Sequence, residues 1–217
     1  MINPRIITID GPAGAGKSTL AKEISKRFGY THLDSGAIYR AIGFASKEMG
    51  IDLNNEIEVL EIAKKLKIEL KGSRVFVNGK DVTEEIRTPE GGVLASQVAQ
   101  HREVREVVVK ILRNLAQGKK VVIDGRDAGT YIFPEAQLKI YLTASPEERA
   151  KRRYRELVEK GFKVSYEQVL KEVVERDKKD KSRKFAPLTV PKGAVIIDST
   201  GKSLEQVLNE VKKLIDP

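Results

Sequence analysis

The sequence predicts an α/β fold in which a parallel sheet is flanked by helices. Two observations carry this. Strand-like runs recur between helical patterns at Arg5–Asp10, Thr31–Leu33, Lys120–Asp124, Leu138–Leu142 and Ala194–Asp198. Most are apolar on both faces, as strands covered by helices on each side must be. The first run leads directly into Gly11-Pro12-Ala13-Gly14-Ala15-Gly16-Lys17-Ser18, which fits the G-x-x-x-x-G-K-[ST] pattern without a mismatch, and a helix opens at Thr19.

The Gly11–Thr19 stretch is a phosphate-binding loop by its chemistry. Glycines let backbone N–H groups turn inward around a polyphosphate, and the helix N-terminus adds partial positive charge at that point. Lys17 can reach β- and γ-phosphates, and the Ser18 hydroxyl can ligate Mg²⁺. Next, Leu33–Arg40 reads as a strand end running into a helix, with Asp34 or Ser35 as the cap. Arg40, one turn in, suits a second phosphate.

The segment from about Lys67 to Thr88 breaks the rhythm. Residues 67–71 and 74–78 alternate polar and apolar around Gly72-Ser73, and Asn78-Gly79 is a second turn signal. This predicts an inserted antiparallel meander. Val121-Val122-Ile123-Asp124 then ends an apolar run in a carboxylate, as does the metal-facing strand of phosphate-loop enzymes. Arg126 and Asp127 follow at the carboxyl edge of the sheet, where such folds bind ligands.

Three later helices open on capping-box patterns, Ser145–Glu148, Ser165–Gln168 and Ser203–Gln206. Pro146 suits the first helical position, and Gly161 ends the first of these helices. Arg149, Arg152, Arg153 and Arg155 cluster here. Arg176, Asp180 and Arg183 are spaced i, i+4, i+7 and share one helical face, either as an ion-pair ladder or as a ligand-facing edge. His32 and His101 are isolated and give no metal-ligand spacing.

The chain has 217 residues, with 40 Lys and Arg against 31 Asp and Glu, a formal charge of +9. Such an excess fits a nucleic-acid surface or a cleft that holds two polyanionic small molecules. Many lysines lie in amphipathic patterns such as 62–66, where a solvated face is the ordinary explanation. The absence of Cys excludes disulfides and thiolate metal sites. No apolar run approaches membrane-span length, and the N-terminus does not read as a secretory signal, so a cytoplasmic location is expected.

With these residues in view, the chain closely resembles bacterial cytidylate kinases over nearly its whole length. The resemblance is carried by residues 8–19, Leu33–Arg40, 85–88 with 95–99, Asp124-Gly125-Arg126-Asp127, 159–162 and 186–188. It implies an adenylate-kinase-like fold on residues 1–217, a single domain with five parallel strands. An inserted monophosphate-binding subdomain would lie at about 67–88 and a helical lid at about 149–184. It implies transfer of the ATP γ-phosphate to CMP or dCMP, assisted by Mg²⁺, in a monomer. Gly11 to Thr19 would bind ATP, with Lys17 catalytic and Ser18 on the metal. Arg40 and Arg126 would grip the CMP phosphate beside Ser35. Ser96, Arg105, Asp127 and Arg183 would surround cytosine and its sugar, and Arg176 and Asp180 would reach the ribose. Arg149, Arg152 and Arg153 resemble lid arginines that neutralise the transferring phosphate. The chain departs from the family at Ala128, where Met is frequent, and at Ser18, where some members have Gly.

Two other readings stand beside this one: another small-molecule phosphate-loop kinase with a different acceptor, and a basic RNA-binding protein. The second lacks the exposed aromatic repeats of single-strand platforms. Ser96 and Arg105 are nine residues apart, which puts them on opposite sides of one straight helix. A shared site therefore requires a break near 100–103.

Overall fold

The structure, a computed structural model, describes residues 5–215. In chain order the elements are β1 (Ile6–Asp10), α1 (Lys17–Phe28), β2 (Thr31–Asp34), α2 (Ser35–Glu48), α3 (Glu56–Lys65), β3 (Ile68–Lys71), β4 (Arg74–Val77) and β5 (Lys80–Asp81). A 3-10 turn at Glu85–Arg87 precedes α4 (Pro89–Val98) and α5 (Arg102–Ala116). Then come β6 (Val121–Asp124), a π-helical turn at Ala128–Ile132, β7 (Leu138–Thr143), α6 (Pro146–Glu159), α7 (Tyr166–Ser182), β8 (Val195–Asp198) and α8 (Leu204–Ile215).

Five strands form a parallel sheet in the order β2-β6-β1-β7-β8, and β3-β4-β5 form a separate sheet. Each predicted strand is present to within a residue at either end. The chain divides into two compact units, Met1–His32 with Lys119–Pro217, and Leu33–Gly118. The predicted meander is thus one part of a larger second unit.

In the first unit, β1 sits mid-sheet with β6 and β7 on its two sides. Its side chains alternate. Ile7 and Ile9 are fully buried with Leu20, Ile24, Ile140, Leu142, Val207, Leu208 and Val211, so α1 and α8 cover that face. Each such aliphatic side chain contributes about 1.5–3 kcal/mol by leaving water. Thr8 and Asp10 point the other way, toward the π-helical turn, where Gly129 lies so close that a Cβ would stand 2.6 Å from Thr8 Oγ1.

Helices α6 and α7 form a hairpin with a small core of its own. Ala150, Leu157, Val169 and Val173 are buried there, flanked by Tyr154, Phe162 and Tyr166. Gly161 ends α6 as predicted. It adopts φ 82°, and Phe162 N–H and Gly161 N–H bond back to Leu157 and Val158 carbonyls at 3.0 and 2.9 Å. That is a Schellman closure, with Phe162 packing back into the cluster that holds Leu157.

Two cap and phase expectations are corrected. Ser165 and Ser203 form reciprocal capping boxes. Ser145 caps Glu148 N–H, but the return bond is replaced: Ser145 N–H goes to Thr200 Oγ1, and Glu148 takes Arg152 instead. Arg183 is also not on the α7 face with Arg176 and Asp180. The helix ends at Ser182, and Arg183 is extended at ψ 132°.

In the second unit, Asn78 and Gly79 both adopt positive φ, 50° and 83°, which gives the β4–β5 hairpin a turn matched to strand twist. Helices α4 and α5 are separate, with the break at 99–101. This is the interruption that the phase of Ser96 and Arg105 requires.

Candidate active site

The phosphate loop springs from the end of β1 and closes on α1. Gly16 is the N-cap of α1 at φ 92°, and having no side chain it leaves the first helical N–H groups open to a ligand. Gly11 has to be glycine: a Cβ would stand 1.9 Å from the Leu142 carbonyl oxygen. Lys17 folds back and donates to the Pro12 carbonyl at 2.6 Å. Burial pushes its ammonium well below the ordinary lysine value, and the nearby Arg126 charge adds to this.

Ser18 Oγ donates to Asp124 Oδ2 at 2.5 Å, and Asp124 Oδ1 lies 2.6 Å from His32 Nε2. Burial works to raise the Asp124 carboxyl. Hydrogen bonds from His32 and Ser18 and the charge of Lys17 outweigh it and hold Asp124 below the usual carboxylate value. A hydroxyl beside an ionised carboxylate is a pair of hard oxygen ligands. It fits Mg²⁺, which takes one or two protein oxygens together with phosphates and water.

The segment after β6 is held from below. Asp10, fully buried, accepts Ala128 N–H and Gly129 N–H at 2.6 and 2.8 Å. Burial, helped by the Asp127 charge, raises the Asp10 carboxyl to about 7 against the pull of those two N–H bonds and of Lys17. Asp127 is itself buried. Arg126 Nε donates to Asp180 Oδ2 at 2.8 Å, and Arg183 to Asp180 Oδ1 at 3.2 Å. Burial would raise Asp180, but the charges of Arg126, Arg176 and Arg183 hold it low. Arg183 thus reaches Asp180 from beyond the helix end.

The arginines of α6 part company. Arg153 makes an exposed pair with Glu156 at 2.8 Å. Arg152 binds Ser199 Oγ and the Ser199 carbonyl at 2.9 and 2.6 Å. Arg149 is 3% exposed and bonds the Ala144 and Ala13 carbonyls, both at 2.9 Å, and the Asp177 carboxylate at 2.7 Å. Its inward contacts are with the phosphate loop and α7.

In the second unit, Asp34 caps α2 by accepting Ala37 N–H at 2.9 Å, and Ser35 is buried as the first helical residue. Arg40 lies over Gly36, where a Cβ would come 3.2 Å from Arg40 Nη2, and it stands 3.7 Å from Asp34 Oδ2. Arg105 is 1% exposed. It donates to the Ala99 carbonyl in the helix break at 3.0 Å and lies 5.3 Å from the Tyr39 ring centroid. His101 spans to the Leu53 carbonyl at 2.7 Å and is structural.

The family model described as cytidylate kinase matches residues 7–217. The chain belongs to the cytidylate kinase family. A cytidylate kinase from Caldanaerobacter subterraneus subsp. tengcongensis is 51% identical, covering 99% of this chain and 96% of that protein. The cytidylate kinase of Bacillus subtilis is 46% identical over 97% and 96%. Among solved structures, a shikimate kinase from Bacteroides thetaiotaomicron superposes with a TM-score of 0.52 at 13% identity, covering 98% of each chain. An uncharacterized protein from Eubacterium ventriosum gives 0.55 at 15%, covering 97% of this chain and 98% of that one. These two share the fold.

For a cytidylate kinase family member, sequence reasoning missed three groups. His32, set aside as isolated, orients Asp124 across two strand ends. Asp10 and Asp177 hold backbone N–H groups, and a backbone partner leaves no trace in spacing. Asp177 does carry one signal. It continues the buried stripe Val169, Val173 on α7, where a carboxylate needs a partner.

Proposed function

We propose that this chain transfers the γ-phosphate of ATP to CMP and dCMP, giving ADP with CDP or dCDP. The observation that carries the donor half is the phosphate loop with Lys17 and the Ser18–Asp124 pair at its mouth. Family membership supports the acceptor half.

Lys17 would leave the Pro12 carbonyl for the β- and γ-phosphate oxygens, whose charge restores the full ammonium that burial disfavours. The α1 N–H groups would cradle the β-phosphate. Ser18 and Asp124 would hold Mg²⁺, with His32 fixing the Asp124 carboxylate. When bound, the ion neutralises charge on the phosphoryl oxygens. Arg126 and Arg40, with Ser35, would take the acceptor phosphate. Asp180 holds Arg126 in place meanwhile and with Arg176 would meet the ribose. Asp127 would accept from the cytosine amino group, where uracil presents a carbonyl that a carboxylate repels. Ser96, Arg105 and Arg183 would complete the base and sugar contacts. Arg152 and Arg153 of α6 would neutralise the transferring phosphate; Arg152 Nη1 already stands 3.5 Å from the Ala15 carbonyl of the phosphate loop. The chain would act as a monomer, and among the described residues no helix is long and apolar enough to cross a membrane.

The test is ADP release with ATP and a panel of CMP, dCMP, UMP, AMP and shikimate. CMP and dCMP should lead the panel. Turnover led by AMP or shikimate would move the chain to another acceptor, and no acceptor-dependent turnover would remove the kinase reading.

A further inference from the structure

The peptide of Ala13, at the tip of the phosphate loop, is gripped on both its polar atoms. Its N–H donates to Asp177 Oδ1 at 3.3 Å, and its carbonyl accepts from Arg149 Nη1 at 2.9 Å. The two side chains close on each other, Arg149 Nη1 to Asp177 Oδ2, at 2.7 Å. Arg149 Nε is tied down to the Ala144 carbonyl at 2.9 Å. The helix itself presses on the loop, since a Cβ at Gly14 would stand 2.8 Å from the Arg149 carbonyl oxygen. One turn further along α7, Asp180 holds Arg126 at 2.8 Å.

A buried ion pair is a weak source of stability, because desolvation of both charges offsets their attraction. Two apolar side chains would fill the same space. They could not bond an N–H and a carbonyl of one peptide at once. The pair therefore supplies loop geometry.

We infer that Arg149 and Asp177 are positioning residues for the donor nucleotide: they fix the tip of the phosphate loop to α6 and α7, so that ATP affinity depends on an α7 carboxylate that never touches ATP. Arg149 is then occupied at the loop and is not the arginine that meets the transferring phosphate. The same turn of α7 holds Asp177 on the donor loop and Asp180 on Arg126. The inference rests on the ATP-dependent reading above.

The test uses the full chain with Asp177→Asn, Arg149→Lys and the double change Arg149→Met with Asp177→Leu. Binding of ADP by calorimetry is read beside steady-state kinetics, melting temperature and the Ala13 amide proton shift. Asp177→Asn should weaken ADP binding about tenfold, the loss expected for a hydrogen bond to a charged group. The KM for ATP should rise in parallel with kcat within about threefold, the pattern of lost binding that is uniform between ground and transition states. The Ala13 amide proton should move upfield as its carboxylate acceptor is lost. The double variant keeps its volume and loses the buried charges. It should melt near the wild type and still bind ADP as weakly as the single variants.

ADP affinity that recovers together with melting temperature in the double variant would make the pair merely structural and overturn the inference. So would an Arg149→Lys variant that loses about 100-fold in kcat at unchanged ADP affinity, since that is the signature of a transition-state contact. If the wild type binds ADP but phosphorylates none of the acceptors, the acceptor reading fails, while the ADP comparison still decides this one.

Discussion

Asp10 makes a quantitative pH test possible. It is the last residue of β1, fully buried, with two backbone N–H groups as donors and its carboxyl raised from 3.8 to about 7. The unfolded chain releases this proton near 3.8, whereas the native state keeps it to about 7. Between those values the native state binds more protons, so stability falls as pH rises. The contribution is fully present below about 3.8 and is gone above about 7. The slope is at most about 1.4 kcal/mol per pH unit, and holding the proton over that span amounts to about 4 kcal/mol. Asp10→Asn removes the titration but keeps the shape and one acceptor. Urea unfolding of both proteins at half-unit steps from pH 4.5 to 8 gives two stability curves. Their difference should change by about 1 kcal/mol or more per pH unit up to pH 7 and level off beyond it. Asp127 and Lys17, which face Asp10, are present in both proteins. Parallel curves would mean that the two N–H bonds already ionise Asp10, and the burial argument would be refuted.

Lys17→Ala should cut kcat by about 10²–10³-fold or more while the melting temperature holds, because Lys17 would, on the proposed reading, act on charge that develops in transfer; near-normal kcat would remove it from the chemistry. Asp127→Asn should reduce kcat/KM for CMP more than for UMP, since an amide can donate to the uracil carbonyl; an unchanged CMP-to-UMP ratio would show that Asp127 does not read the base. Trypsin should cut after Lys160 and Lys163, which are exposed between α6 and α7. A linked ATP–CMP analogue should slow that cut severalfold, and equal rates in all states would make the arginine-rich segment a static surface.

The strands were legible because burial on both faces forces unbroken apolar runs, and the glycine-rich loop because few sequences other than a phosphate cradle need that pattern. The break between α4 and α5 followed from a phase conflict between two side chains, and it lies within a residue or two of the expected place. Arg149 and Arg153 look alike in sequence. One is nearly buried in the α6 face that also carries Ala150 and Leu157, and the other pairs at the surface, because only the packed partner decides which face turns inward. Spacing alone puts Arg183 on a helical stripe, yet the helix stops one residue earlier. The π-helical turn at 128–132 had no signature either. Asp10 dictates it by taking the Ala128 and Gly129 N–H groups, and Asp10 lies 118 positions away in the chain.

The private core of the α6–α7 hairpin has a mechanical consequence. Its apolar contacts run between the two helices, so a rotation of the hairpin as one body would leave them intact. Arg149 and Asp177 lie at its root and Gly161 at its tip, about 18 Å away along α6 at the helical rise per residue. A rotation of about 10° at the root carries the tip through about 3 Å over that length. The same turn shifts Arg149 and Asp177 by far less. In such a rotation the tip would travel while the fulcrum stayed seated on the loop.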